Sequence, residues 1–187
     1  MRTLAVVLVA FAALTACSSG DEPSKTPPSS KPSSAPKPSS SADPAAAASL
    51  DPCKLLPAAA VSKALFLDNL QAVAGPVQDT TANGGKARSC EYQLNGKAAG
   101  ALAVTRYEGR EGKPAEMVAS IKKAKPGAKD VAGFPDGAVY YVDEQKTATL
   151  ASAELVAGTP VLVNYTGPAK MTPEQMAPLV KQALDAS

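Results

Sequence analysis

Downstream of residue 50 the apolar positions switch between helical and strand spacing. Leu55, Leu56, Val61, Ala64 and Leu65 recur at roughly helical intervals after Asp51-Pro52. That pair is a helix start, because the aspartate accepts a free amide and the proline lacks only a donor that would be idle there. Pro57 interrupts the run, so the pattern predicts two short helices or one kinked helix. Cys90, Tyr92 and Leu94 then alternate with Glu91 and Gln93, the period of a half-buried strand over 89–94. Asn95-Gly96-Lys97 turns the chain into a second strand over 100–107, with Leu102 and Val104 alternating again. A helix follows over 113–124: Met117, Ile121 and Ala124 share a face with Val118, and Lys122, Lys123 and Lys125 sit near the end where a helix favours cations. Segments 138–142, 147–156 and 160–166 read as three strands of an antiparallel meander. Thr172-Pro173-Glu174-Gln175 opens a last helix with Met176, Leu179, Val180, Ala183 and Leu184 on one face, and Pro178 predicts a kink in it or a later start. The order implies an α+β domain, an antiparallel sheet of about five strands covered by helices.

The start of the chain is built differently. Met1-Arg2-Thr3 carries one positive charge and precedes an apolar run from Leu4 to Leu14, which ends before the polar Ser18-Ser19-Gly20-Asp21. Spanning a membrane takes about 20 apolar residues, so the run has the shape of a signal peptide. Leu14-Thr15-Ala16-Cys17 resembles the lipobox of bacterial lipoproteins. That resemblance implies cleavage after Ala16 and a diacylglyceryl thioether on Cys17, giving palmitate-type anchoring by two or three chains where one chain alone would bind only marginally. Between Cys17 and Leu50 the chain has 34 residues, 7 of them proline and 11 serine, and nothing to bury. Ordering such a stretch is not offset by burial, so it is expected to stay an extended linker with an end-to-end distance of roughly 30 Å. Lys25, Lys31 and Lys37 serve solubility there, with contact to anionic lipid or wall polymer as the alternative. The expected organisation is a lipoprotein signal peptide at 1–16, a disordered Ser/Pro-rich tether at 17–50 and a single extracytoplasmic domain at 51–187.

Composition narrows the chemistry. A formal charge of +2 gives no electrostatic footprint for nucleic acid. The chain has no histidine, which removes Ser/His/Asp and Cys/His catalysis and histidine-ligated zinc. No phosphate-binding or nucleophile-elbow motif occurs, and Gly84-Gly85 reads as a turn. No cofactor or metal is implied. Glu108 with Glu111, and Asp143 with Glu144, are the carboxylate pairs from which glycoside hydrolysis would have to be built, although both lie in turn-like segments. Lys122, Lys123, Lys125 and Lys129 read as a solvated helix end, with an anionic envelope polymer as the alternative partner. Tyr140, Tyr141 and Tyr165 read as part core and part rim, with an aromatic-lined ligand pocket as the alternative.

With Cys17 lipidated, Cys53 and Cys90 remain as an even pair in an exported chain and are predicted to be bonded. Asp51-Pro52-Cys53-Lys54-Leu55-Leu56, Cys90-Glu91-Tyr92 and Gly133-Phe134-Pro135-Asp136-Gly137-Ala138-Val139-Tyr140, together with the lipobox and tether, resemble uncharacterised actinobacterial lipoproteins with a domain of unknown function. The resemblance implies an extracytoplasmic domain stapled between first helix and first strand, similar to a PsbP/Mog1-like sandwich, and brings no catalytic residues. The expected function is a non-enzymatic binding or sensing domain, anchored through Cys17 at the outer face of the cytoplasmic membrane and holding a small apolar ligand or an envelope partner. An accessory lipoprotein of an envelope protein complex is the alternative, and a carboxylate-dependent wall-glycan hydrolase the third reading. An apolar pocket, a flat apolar patch and a cleft with facing carboxylates would distinguish them.

Overall fold

The computed structural model describes residues 50–82 and 84–187; positions 1–49, where a signal peptide and a tether are expected and where Cys17, Lys25, Lys31 and Lys37 fall, lie outside the described residues, as does Asn83. Asp51 caps the first helix as its sequence predicts, its Oδ1 accepting from the Cys53 N–H at 3.1 Å. Pro57 separates α1 (Pro52–Leu55) from α2 (Ala58–Leu65), so two short helices form rather than one kinked helix.

The strands are β1 (Gln71–Ala74), β2 (Lys86–Leu94), β3 (Lys97–Arg106), β4 (Lys129–Asp130), β5 (Ala138–Val142), β6 (Thr147–Val156) and β7 (Thr159–Pro168). They form one antiparallel sheet in the order β1-β2-β3-β7-β6-β5-β4. The described sheet therefore has seven strands rather than about five. The two additions are edge strands, where pairing on one side suffices and no buried alternation marks the sequence. All four residues of β1 are exposed, and β4 has only two residues. Between β3 and β4 lies α3 (Pro114–Ala124), and α4 (Pro173–Asp185) ends the domain.

Helices lie on both faces. On one face α1, α2 and α4 bury Leu56, Val61, Met176 and Val180 against Cys90, Tyr92, Leu102, Val104, Leu150, Val163 and Tyr165. On the other, α3 seats Val118 over Val139, Ala151 and Ala153. Because β6 is covered from both sides, every residue from Ala148 to Ala153 is buried, and this strand reads as a continuous run without alternation. Gly100 leaves space for Tyr165, since a Cβ at that position would lie 2.8 Å from the phenol oxygen.

Pro178 lies within α4, which runs through it from Pro173 to Asp185 without a later start. The proline is solvent-facing and follows the first turn, so the carbonyl it leaves unpaired, that of Glu174, can bond water instead. Cys53 and Cys90 are bonded, joining α1 to β2 with Cα atoms 5.1 Å apart. Both cores, the sheet and the disulfide are built within the segment that begins at Leu50, so that segment carries its own folding determinants.

Candidate functional site

The end of α2 carries an exposed aromatic in a strained backbone conformation. Phe66 adopts a left-handed conformation with φ of 54°, its N–H bonding the Ser62 carbonyl, at the position where helices favour glycine. An L-residue there costs roughly 1–2 kcal/mol, and a bulky one is an outlier. The Phe66 ring is also 87 % exposed, so burial within the domain offsets little of that cost.

Beside the ring, α2 and α4 enclose an open groove of about 450 Å³ whose apolar lining is Ala60, Ala64, Phe66, Pro178 and Leu179. The small side chains of α2 open this space, and the exposed Pro178 ring forms part of its far wall. Its polar border is largely committed to the fold. Gln175 Oε1 accepts from the Thr172 N–H at 2.9 Å, and Gln182 Nε2 donates to the Leu55 carbonyl at 3.5 Å. Lys63 is the one charged residue of the lining, and it makes no ion pair or hydrogen bond among the described residues.

The tyrosine candidates do not meet in one pocket. Tyr165 is fully buried in the larger core, its ring centroid 6.2 Å from that of Tyr92. Its hydroxyl has no partner among the described residues. Tyr140 donates from Oη to the Met171 carbonyl at 2.9 Å. Tyr141, the next residue of β5, points to the opposite face, where Lys125 Nζ lies 5.2 Å from its ring centroid.

The charged candidates are likewise dispersed. Glu108 accepts from Lys86 Nζ at 2.7 Å, and that hydrogen bond with the lysine's charge holds its carboxyl below the ordinary value, opposite to what a general acid needs. Asp143 accepts from the Thr147 N–H at 2.8 Å, a role in the β5–β6 turn, while Glu144 is exposed. Glu111 borders a different groove, of about 580 Å³, near the start of α3, where Lys113 and Glu116 pair at 3.1 Å. Lys122 bonds Asp130, Lys125 stacks on Tyr141, and Lys123 and Lys129 are exposed. Among the described residues no cluster of three His, Cys, Asp or Glu side chains is arranged to hold a metal.

The α3 side of the sheet is covered unevenly. Where β1, β2 and β3 meet β7, the row Val73, Glu91, Ala101 and Thr166 runs beyond the helix, with Val73 43 % exposed and a groove of about 450 Å³ beside Glu91 and Lys146. The residues sequence reasoning missed are Phe66 and its neighbours across the groove. The available signal was an aromatic directly after a helical run, where a capping glycine or asparagine is the usual choice.

Over the described residues, the fold and the Cys53–Cys90 staple define a disulfide-bonded α+β domain with an antiparallel sheet between helices. The chain belongs to the family described as protein of unknown function (DUF3558), which it matches over residues 12–169. No curated protein and no solved structure matches it.

Proposed function

We propose that the protein is an actinobacterial lipoprotein, held by acyl chains on Cys17 at the outer face of the cytoplasmic membrane. Its extracytoplasmic domain, PsbP/Mog1-like in architecture, binds a small apolar ligand and does no chemistry. The lipobox-like Leu14-Thr15-Ala16-Cys17 supports the anchor, and the Cys53–Cys90 bond is of the kind that persists outside the reducing cytoplasm. Helices on both sides of an antiparallel sheet support the sandwich assignment.

One observation carries the binding site: Phe66 combines a left-handed backbone with an 87 % exposed ring, at the edge of an apolar groove whose volume is in the range of small-molecule sites. The test is native against denatured mass of residues 50–187, exported through an oxidising compartment and purified without detergent, for the parent and for Phe66→Gly. A bound mass present in the parent and absent from the variant is expected. The same bound mass in both would remove the groove from the proposal. For the anchor, Cys17→Ala should move the protein from membranes to the soluble fraction, and continued acyl labelling of that variant would overturn lipidation.

A second reading, an accessory lipoprotein docking on an envelope complex, has its own support in the partly uncovered Val73, Glu91, Ala101 and Thr166 row. Cross-linking from Val73→Cys in intact cells would capture a partner if that face docks.

A further inference from the structure

We propose that the α2–α4 groove takes a single-chain anionic amphiphile, a fatty carboxylate, with the alkyl chain between the helices and the carboxylate on Lys63. This rests on the groove being the ligand site. The lining sorts the ligand's two ends: alanines, Phe66, Pro178 and Leu179 offer only apolar contact, and Lys63 is the sole charge among the described residues of the lining. A buried alkyl chain displaces water from that surface, while the ammonium at the rim attracts one negative charge without being fully desolvated. The carbonyl end of α2 would oppose an anion, but the Ser62 carbonyl already accepts from both Phe66 and Leu67 N–H groups. That leaves the lysine as the stronger local charge.

Size and charge select within the class. A groove of about 450 Å³ is small for a ligand site, which favours one chain over a two-chain lipid. One lysine, with no arginine and no second cation in the lining among the described residues, matches a monovalent carboxylate better than a phosphate approaching two charges.

Calorimetric titration of residues 50–187 at low salt with decanoate and decylammonium, which share an alkyl chain and differ in head charge, tests this directly. Decanoate is expected to bind about fivefold tighter than decylammonium, the scale of an exposed charge pair, and Lys63→Glu to reverse the order. Phe66→Gly is expected to weaken both. Equal binding of the two probes to the parent, with loss of both in Phe66→Gly, would overturn the carboxylate assignment and leave the groove as the site. Binding of neither probe, or binding that Phe66→Gly leaves unchanged, would overturn the groove as well. Co-sedimentation with phosphatidylglycerol vesicles that decanoate does not displace would assign the lysine to a membrane surface and overturn the single-chain occupant.

Discussion

Tyr92 donates its hydroxyl to the carbonyl of Leu56 at 2.6 Å, fastening the end of α1 to the last third of β2 across 36 positions of sequence. Both residues are fully buried, and the Cys53–Cys90 bond lies between the same two elements. The first helix has only four residues, too few to hold its shape by internal bonding, so these two links do that work. Tyr92→Phe leaves the Leu56 carbonyl without a donor in a dry core and should destabilise the domain by about 1–3 kcal/mol. Tyr165→Phe is the contrasting case, because its hydroxyl has no partner among the described residues; it should leave stability unchanged or raise it by about 1 kcal/mol. Urea midpoints of the two variants, compared at neutral pH, separate these outcomes.

The same two phenols set the alkaline limit. Burial raises both tyrosines above the ordinary value of 10.0, and the neighbouring Tyr165 adds to the effect at Tyr92. Folded protein keeps both protons where the unfolded chain releases them, so stability is intact below pH 10 and falls as pH rises beyond it. With each proton contributing about 1.4 kcal/mol per pH unit, the initial slope should approach about 2.7 kcal/mol per unit. Tyr165→Phe should halve that slope. A flat urea midpoint through pH 11 would contradict the linkage.

Cys90 and Tyr92 were legible in the sequence because their strand is half-buried: alternation with Glu91 and Gln93 marks the core face directly. The pairing of Cys53 with Cys90 was legible because the chain has three cysteines and the lipobox resemblance reserves Cys17, leaving one pair. β1 was not legible, since Gln71-Ala72-Val73-Ala74 is wholly exposed at the sheet edge and its pairing with β2 is a tertiary fact. The three tyrosines line no common pocket among the described residues. Tyr140 and Tyr141 are consecutive in a strand, and parity alone sends them to opposite faces. Phe66 was missed for another reason, because Leu65-Phe66-Leu67 reads as one apolar run and only the left-handed turn throws the middle ring outward.

Removing the disulfide should cost more than any single side-chain change above. The bond closes a loop with a sequence separation of 37, for which chain entropy gives about 4 kcal/mol. Cys53→Ala with Cys90→Ala should lower the urea midpoint accordingly, and a reductant should bring the parent towards that variant. An unchanged midpoint would mean that the Tyr92–Leu56 bond and the surrounding packing already fix α1.

Glu154 offers a prediction of opposite sign. Burial raises its carboxyl above the ordinary 4.5, with Asp185 and Asp136 adding repulsion that Lys181 partly offsets. A raised folded value means that the ionised form opposes folding, so the penalty is absent below the ordinary value and grows as pH rises through the folded one. Glu154→Gln should therefore raise the urea midpoint at pH 7 and leave it unchanged near pH 3. Destabilisation at pH 7 would show that Glu154 makes a favourable contact outweighing the repulsion.

Phe66 can be separated into backbone and ring. Phe66→Gly removes the left-handed penalty of roughly 1–2 kcal/mol but restores about 0.4–1 kcal/mol of unfolded-chain entropy, so a net stabilisation of about 0.5 kcal/mol is expected. Phe66→Ala keeps the left-handed penalty and deletes a ring that is 87 % exposed, so its stability should stay close to that of the parent. Both variants lack the groove wall that the ring supplies and should bind ligand equally poorly. A residue whose loss leaves the fold intact or firmer while abolishing binding is one whose cost is offset outside the domain's own core. If Phe66→Ala instead lowered the unfolding free energy from urea titration by more than about 1 kcal/mol, the ring would be packing within the fold, and its exposure would have no bearing on a ligand.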